Sequence, residues 1–180
     1  MLHRYGLSTG KQSIVRYGSK GGSVLINLWK TEYLLQLDEI DDQHKHFFAL
    51  CGEVAQLAET ATRKKESIVS TIKALGMLRA YAFLHFRTEE EIMLRHGFPK
   101  YLKHTGCHNN YLEKMIVYEK GFKALLENLD QNAEGGKLLK TFLKEVSEFV
   151  VEWWSTHIQE QDALYAVHIK EKKPQDLIPR

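Results

Sequence analysis

Long stretches without proline are the feature that most constrains the fold of this 180-residue chain. The chain has three prolines, and all of them lie at or beyond Pro99. Proline interrupts a helix because it lacks a backbone N–H and clashes with the preceding turn. Hydrophobic residues make up 43% of the chain and charged residues 27%, as is usual for one globular domain with a full core. The chain can therefore form several long helices.

Four stretches show the apolar spacing of amphipathic helices. The first begins at Asp41, and the others span about residues 66–95, 100–129 and 137–169. Gly97 and Pro99 separate the second stretch from the third, and the segment "DQNAEGG" separates the third from the fourth. Short connections between long helices predict an all-α, antiparallel up-down-up-down four-helix bundle.

The two ends of the chain differ from this body. Residues 1–31 contain five basic residues and no acidic one, a charge of +5, whereas the remainder has 20 basic and 23 acidic residues, or −3. Because glycines are frequent at the start, we expect a flexible basic arm at 1–23, the bundle at 24–170 and a tail at 171–180. The arm could contact an anionic protein partner, although an unstructured solubilising extension is the simpler interpretation.

Composition argues against several other classes of protein. The mildly acidic body is unlike a nucleic-acid-binding surface. No run of apolar residues approaches 18, so we expect no membrane span. Two cysteines, Cys51 and Cys107, do not make a disulfide framework, and we expect a cytoplasmic location. An oligomer remains possible.

Seven potential metal ligands fall at one level of the predicted bundle. In an antiparallel bundle, the starts of the first and third helices meet the ends of the second and fourth. Every helix contributes to this level, through His44, His85, Glu89, His104, His108, His157 and Asp162. A single buried histidine is usually only a packing residue. Five histidines and two carboxylates at one level indicate a metal site instead.

One pair in this set does not fit a regular helix. His157 and Asp162 are five residues apart, which turns them by about 140° around an α-helix. They can face one centre only if the helix is locally widened or the two side chains reach from opposite flanks. Cys107 is expected to be a packing residue. The remaining histidines are expected at the surface or in the termini: His3, His46, His96 and His168.

The donor types indicate which metal the site would hold. Imidazole and carboxylate ligands suit a first-row metal such as iron, and seven donors are too many for one ion. With both carboxylates and one oxygen as bridges, the set fills all but one position of two six-coordinate ions, which leaves a place for dioxygen. A structural zinc site normally needs four ligands and does not fit this number.

Four sequence stretches resemble the hemerythrins, specifically the bacterial hemerythrin-like proteins. They are "IDDQHKHFF", "HFRTEEEIM", "GFPKYLKHTGCHNNY" and "WWSTHIQEQDALY", and the resemblance covers about residues 28–168. It implies that one iron is held by His104, His108 and His157. It implies that a second iron is held by His44 and His85, and that Glu89 and Asp162 bridge the two together with an oxo or hydroxo group.

The resemblance also implies reversible dioxygen binding, as a hydroperoxide, at the iron with two histidines. Positions near the dioxygen pocket of the family are matched by Phe86, Trp153, Trp154, Ile158 and Tyr165. Trp154 stands where a smaller aliphatic residue is usual in the family. We therefore expect this pocket to be narrowed or reshaped.

The predicted function is dioxygen carriage, storage or sensing, and not catalysis. Oxygen-activating bundle enzymes use Glu-rich sites with paired Glu-x-x-His motifs. Neither His85 nor His157 has a glutamate three residues before it. The alternatives left open are a di-iron enzyme, such as an oxidase, peroxidase or ferroxidase, and an iron or redox sensor module.

Overall fold

Four long helices form the body of the protein. A computed structural model describes residues 15–18, 24–129 and 134–172. The helices are α1 (Asp38–Thr60), α2 (Lys65–Arg95), α3 (Tyr101–Leu129) and α4 (Gly135–His157). The fourth continues through a π-helical turn, Ile158–Asp162, into α5 (Ala163–Glu171). Since α1 and α3 each pack against both α2 and α4, the helices close into a ring around one core. The predicted all-α four-helix bundle is confirmed.

The start of α1 differs most from its prediction. The helix begins at Asp38, three residues before Asp41. The Asp41 side chain is buried and accepts a hydrogen bond from the backbone N–H of Leu35 at 2.8 Å. The chain turns between these residues at Gln36, which has a φ of 59°. Asp41 therefore fastens the preceding turn to the first turn of the helix, and apolar periodicity alone does not report such a contact.

A short β-hairpin precedes the bundle. Strand β1 (Val15–Gly18) pairs antiparallel with β2 (Val24–Asn27), so that Val15 lies opposite Asn27 and Gly18 opposite Val24. β1 falls inside the range predicted as a flexible arm, and neither strand was expected. Residues 1–14, 19–23 and 173–180 lie outside the described residues. The flexible arm and the tail therefore stay predictions there.

β2 crosses directly over α1 at Gly52. This glycine is buried in the middle of the helix, and a Cβ atom there would collide with the carbonyl oxygen of Ile26. The missing side chain therefore permits the close approach of strand to helix, which is a common reason for a glycine inside a helix.

Gly52→Ala is expected to push β2 away from α1, because the obstacle is backbone and cannot rotate aside. We expect a loss of roughly 1–3 kcal/mol in the free energy of unfolding, together with faster proteolysis of residues 24–37. Gly76→Ala is the matched control, because a Cβ at Gly76 meets nothing within 4 Å. This helical substitution should stabilise by about 0.5–1 kcal/mol. Equal effects of the two variants would contradict the close approach.

Helix α2 is long and apolar enough to cross a membrane by length and composition. An 18-residue window within Lys65–Arg95 has a mean hydropathy of 1.2, and 22% of that window is buried. A helix that packs into a protein core can pass the same criterion. α2 also carries His85 and Glu89 into the interior of the bundle, where both are buried. The criterion is therefore weak evidence for a span.

Candidate metal centre

The structure brings all seven predicted ligand residues together at one end of the bundle. Their side chains are buried, and His157 is the most exposed of them at 5%. They form two groups that share Glu89. Within each group, the ligand atoms lie within 4.8 Å of one another. The larger group comprises Glu89, His104, His108, His157 and Asp162, and the smaller comprises His44, His85 and Glu89.

Local helix geometry explains why each helix can supply its share. The pairs on α2 and α3 are spaced by four residues and therefore project from one face of a regular helix. His157 and Asp162 are spaced by five, and the π turn between them widens the helix so that both face the cluster. His157 Nε2 lies 3.1 Å from Asp162 Oδ1. Of the two arrangements that this spacing left open, the structure has the locally widened helix.

The two carboxylates connect the histidine groups. Asp162 Oδ1 lies 3.2 Å from His104 Nε2 and 3.1 Å from His157 Nε2. The other oxygen, Oδ2, lies 3.5 Å from His44 Nε2. Asp162 thus presents one oxygen to each group. Glu89 also reaches both groups, because its Oε2 is 3.1 Å from His108 Nε2 and 3.4 Å from His85 Nε2.

Many inward-facing atoms of the cluster have no hydrogen-bond partner, although they are buried. This holds for Nε2 of three histidines and for three carboxylate oxygens: His44, His85, His104, Glu89 Oε2, and Asp162 Oδ1 and Oδ2. An unsatisfied buried polar group costs about 1–3 kcal/mol. These atoms approach one another closely, but they converge on shared points and do not form aligned hydrogen bonds. Cations at those points would satisfy them, and this donor set fits iron.

The outer nitrogens of two ligand histidines have partners that the sequence analysis missed. His85 Nδ1 lies 2.8 Å from Gln43 Oε1, and His108 Nδ1 lies 3.0 Å from Glu90 Oε1. Because these oxygens are acceptors, each Nδ1 carries the proton and the lone pair of Nε2 points inward. Both partners are sequence neighbours of predicted ligands. A ligand histidine is known to need such a partner, but spacing does not show which residue supplies it.

The buried carboxylates remain ionised in this setting. Burial and the charge of Glu89 alone would raise the pKa of Asp162. The nearby imidazoles of His157 and His104 outweigh both and lower it to about 2. Burial likewise opposes ionisation of Glu89, but His85, His104 and His108 hold its pKa well below the usual range. Tyr165 donates a hydrogen bond to Glu89 Oε1 at 2.7 Å and further stabilises this anion.

The imidazoles differ from one another in basicity. Burial and the neighbouring His85 lower the pKa of His44 to about 4. Burial would also lower the pKa of His104, but the approaching carboxylates of Asp162 and Glu89 outweigh it and raise the pKa to about 9. The pKa of His108 is raised in the same way by Glu89 and Glu90. At neutral pH, His104 therefore holds a proton that a metal ion must displace.

Metal uptake by the metal-free protein is accordingly expected to release at least about one proton at pH 7, from His104. His44 is neutral and both carboxylates are ionised at this pH, so they release none. Affinity should rise with pH up to about 9, the pKa of His104. Calorimetric titration in buffers of different ionisation enthalpy measures this proton count. A heat that is the same in every buffer would contradict the protonated state of His104.

Comparison with known proteins agrees with this geometry. The family model of the hemerythrin HHE cation binding domain matches residues 35–168. The chain belongs to the hemerythrin family. A bacteriohemerythrin of Clostridium acetobutylicum is 28% identical over 140 residues, which cover 77% of this chain and 97% of that protein. A bacteriohemerythrin of Methylococcus capsulatus is 26% identical over 125 residues, or 69% and 82% of the two chains.

Similarity extends beyond bacteria and to solved structures. A hemerythrin-like protein of Naegleria gruberi is 25% identical over 137 residues, which cover 76% of this chain and 88% of that protein. The crystal structure of a hemerythrin point mutant matches with a TM-score of 0.62 and 25% identity, over 78% of this chain and 95% of the other. The hemerythrin fold, together with the buried histidine and carboxylate cluster, supports iron binding by this chain.

Two of the five predicted pocket residues lie against the smaller histidine group of this hemerythrin. Trp154 is buried, and its ring centroid lies 5.0 Å from that of His85 and 5.9 Å from that of His44. It stacks on Phe47 at 3.5 Å. Phe86 lies between the two groups, because its ring is 5.8 Å from that of His85 and stacks on that of His108 at 3.9 Å. A wall of aromatic carbon therefore covers this side of the cluster.

The other three predicted pocket residues take different places. Trp153 is half-buried and stacks on His157 at 4.3 Å, beside the larger histidine group. Tyr165 donates a hydrogen bond to Glu89, and its ring lies 5.6 Å from that of His104. Ile158 is buried at the start of the π turn. Of these three, Trp153 and Tyr165 have their closest cluster contacts away from His44 and His85.

Proposed function

We propose that this hemerythrin binds dioxygen reversibly at a non-haem di-iron centre. The observation that carries the proposal is the pair of overlapping ligand groups joined by two carboxylates. His104, His108 and His157 would hold one iron, His44 and His85 the other, and Glu89 and Asp162 would bridge them. A reduced iron pair held by these residues would supply the two electrons needed for dioxygen to bind as a peroxide-level ligand.

The two positions differ in the number of donors that the chain offers. Three imidazoles face one position and two imidazoles face the other, while both carboxylates reach each group. The position beside His44 and His85 therefore has the smaller set of protein ligands. We propose that dioxygen binds there.

The surroundings of this position favour binding over catalysis. Trp154, Phe47 and Phe86 are buried and apolar, so they exclude water and protons that would convert bound dioxygen to released products. The cluster has two carboxylates and no Glu-x-x-His pair, unlike the Glu-rich sites of oxygen-activating bundle enzymes. The biological role would be carriage, storage or sensing of dioxygen.

The cellular setting and the partner also remain proposals. Both cysteines are free, Cys51 in the core and Cys107 half-buried, which suits a reducing compartment such as the cytoplasm. The basic residues of the N-terminal arm would contact an acidic protein partner.

Metal analysis combined with optical spectra tests the proposed function. Protein produced with iron should contain about two irons per chain. Under argon the reduced protein should be nearly colourless, air should produce a charge-transfer band, and argon should remove it again. A protein without iron would overturn the proposal. If the protein consumes dioxygen continuously in the presence of a reductant and shows no reversible band, its function is that of a di-iron enzyme instead.

A further inference from the structure

The buried cluster raises the question of how metal ions enter it. Six of the seven ligand residues are at most 2% exposed, and only His157 reaches 5%. His157 also lines a surface cleft of about 350 Å³ between α3 and the end of α4. The cleft walls include Cys107, Glu152, Trp153, Thr156 and Glu160. One ligand residue therefore faces the cluster from one side and a surface cleft from the other.

Two further surface clefts of the described residues do not reach the cluster. One lies between α1 and α2, and its lining residues include Leu50 and Met77. The other lies where Ile26 of β2 meets α1 and α4 near Ser147. Neither is lined by any of the seven ligand residues. Among these three clefts, the one at His157 is the one that a ligand residue lines.

The chemistry of this cleft suits a hydrated divalent cation. Glu152 and Glu160 are exposed, and no cationic side chain of the described residues pairs with either. Glu160 lies in the π turn that also positions Asp162. Carboxylate oxygens replace the water ligands of divalent ions readily, and two negative charges at a cleft raise the local concentration of cations.

His157 has the position of an intermediate ligand between cleft and cluster. Its Nε2 faces Asp162 and His108 at 3.1 Å and 3.2 Å. Its other ring nitrogen, Nδ1, makes no hydrogen bond to the described residues, and 5% of the side chain is exposed. Trp153 stacks on the imidazole and is itself half-buried at the cleft wall. A rotation of this stacked pair would open the cluster to the cleft.

We propose that this cleft is the port through which divalent metal ions reach the buried centre. Glu152 and Glu160 capture the ion, and His157 with Trp153 forms the gate that passes it inward. This inference rests on the proposed metal centre, since an entry port has a use only if the cluster binds metal.

The rate of metal uptake by the full-length metal-free protein tests the port. Fe²⁺ is added under anaerobic conditions and bound metal is followed over time, with final stoichiometry measured separately. The double variant E152Q/E160Q should load about tenfold more slowly at low ionic strength and reach the same stoichiometry. The difference should shrink at about 1 M salt, where the Debye length is only about 3 Å. E66Q/E127Q is the control with the same charge change, on exposed residues at the other end of the bundle.

Cys107 offers a second test that leaves both glutamates in place. It lines the cleft and is partly exposed, whereas Cys51 is 0% exposed, so a maleimide should modify Cys107 selectively. The bulky adduct should slow Fe²⁺ uptake by partly filling the cleft. Cys107→Ser treated with the same reagent is the control and should load at the unmodified rate.

The outcomes separate the port from the proposed function. If the unmodified protein takes up no Fe²⁺, the metal centre itself is wrong, and the port with it. If the unmodified protein loads, and both E152Q/E160Q and the Cys107 adduct load at its rate, only the port is overturned. Slower loading of both, with unchanged stoichiometry and unchanged controls, supports the port.

Discussion

Glu89→Gln is expected to abolish stable occupation of the metal centre while the bundle stays folded. The substitution keeps the size of the side chain, but the amide has one oxygen and no charge, so it cannot bridge two ions. Removing one partner of a buried charged contact costs roughly 3–5 kcal/mol, which corresponds to about 10²–10⁴-fold in metal affinity. The metal-free fold should survive, because Tyr165 can still donate its hydrogen bond to the amide oxygen.

The two following residues provide matched controls for this prediction. Glu90 accepts a hydrogen bond from His108 and does not face the cluster directly, so Glu90→Gln should lower metal affinity by about 10–100-fold. Glu91 is exposed and lies 3.8 Å from Arg87, so Glu91→Gln should leave metal affinity unchanged. Iron content and equilibrium titration measure the series, and circular dichroism reports the fold. If the three variants had equal affinities for the metal, Glu89 would not bridge the two ions.

Trp154→Leu is expected to open the dioxygen side of the centre. The indole fills the space between Phe47, His44 and His85, and leucine would leave part of this volume empty. A small anion such as azide should then bind the oxidised protein roughly tenfold faster or more. Entry of water into the same space should speed spontaneous oxidation of the oxygenated form. The lost packing should also lower the free energy of unfolding by about 1–3 kcal/mol.

Trp153→Leu is the matched control for this second prediction. It removes the neighbouring indole, which stacks on His157 and lies beside the larger histidine group. Loss of this indole widens the cleft beside His157, but Trp154 still fills the space beside His44 and His85, so azide binding and spontaneous oxidation should speed up less than in Trp154→Leu. Stopped-flow absorbance with azide, and decay of the oxygenated spectrum, measure both variants. If Trp153→Leu has the larger effect on azide binding, the open position is on the side of His157 and not beside His44 and His85.

The helices and the meeting of the ligands were predictable from the sequence for one shared reason. Apolar spacing defines each helix, and short connections make neighbouring helices antiparallel, so chain position translates into depth along the bundle. His44 and His85 are far apart in sequence but fall at the same depth. The five-residue spacing of His157 and Asp162 required either a widened turn or side chains that reach from opposite flanks, and the structure has the widened turn.

The remaining features depend on contacts that leave no periodic signal. The hairpin β1–β2 is short, and β2 packs closely against α1 at Gly52, where there is no side chain. The choice of Gln43 and Glu90 as partners of ligand histidines depends on side-chain direction, which spacing does not determine. The cleft beside His157 is a shape formed by two helices together. Cys107, expected to be a packing residue, is half-buried, belongs to neither ligand group and also lines that cleft.

The π turn at Ile158–Asp162 gives the metal centre a requirement that falls on the backbone and not on one side chain. If the same residues formed a regular α-helix, Asp162 would lie about 140° around the axis from His157 and would point away from the cluster. Deletion of one residue between them would bring the pair to a spacing of four, which a regular helix presents on one face. The spacing of these two ligands and the local type of helix are therefore coupled, and neither can change alone without loss of a ligand.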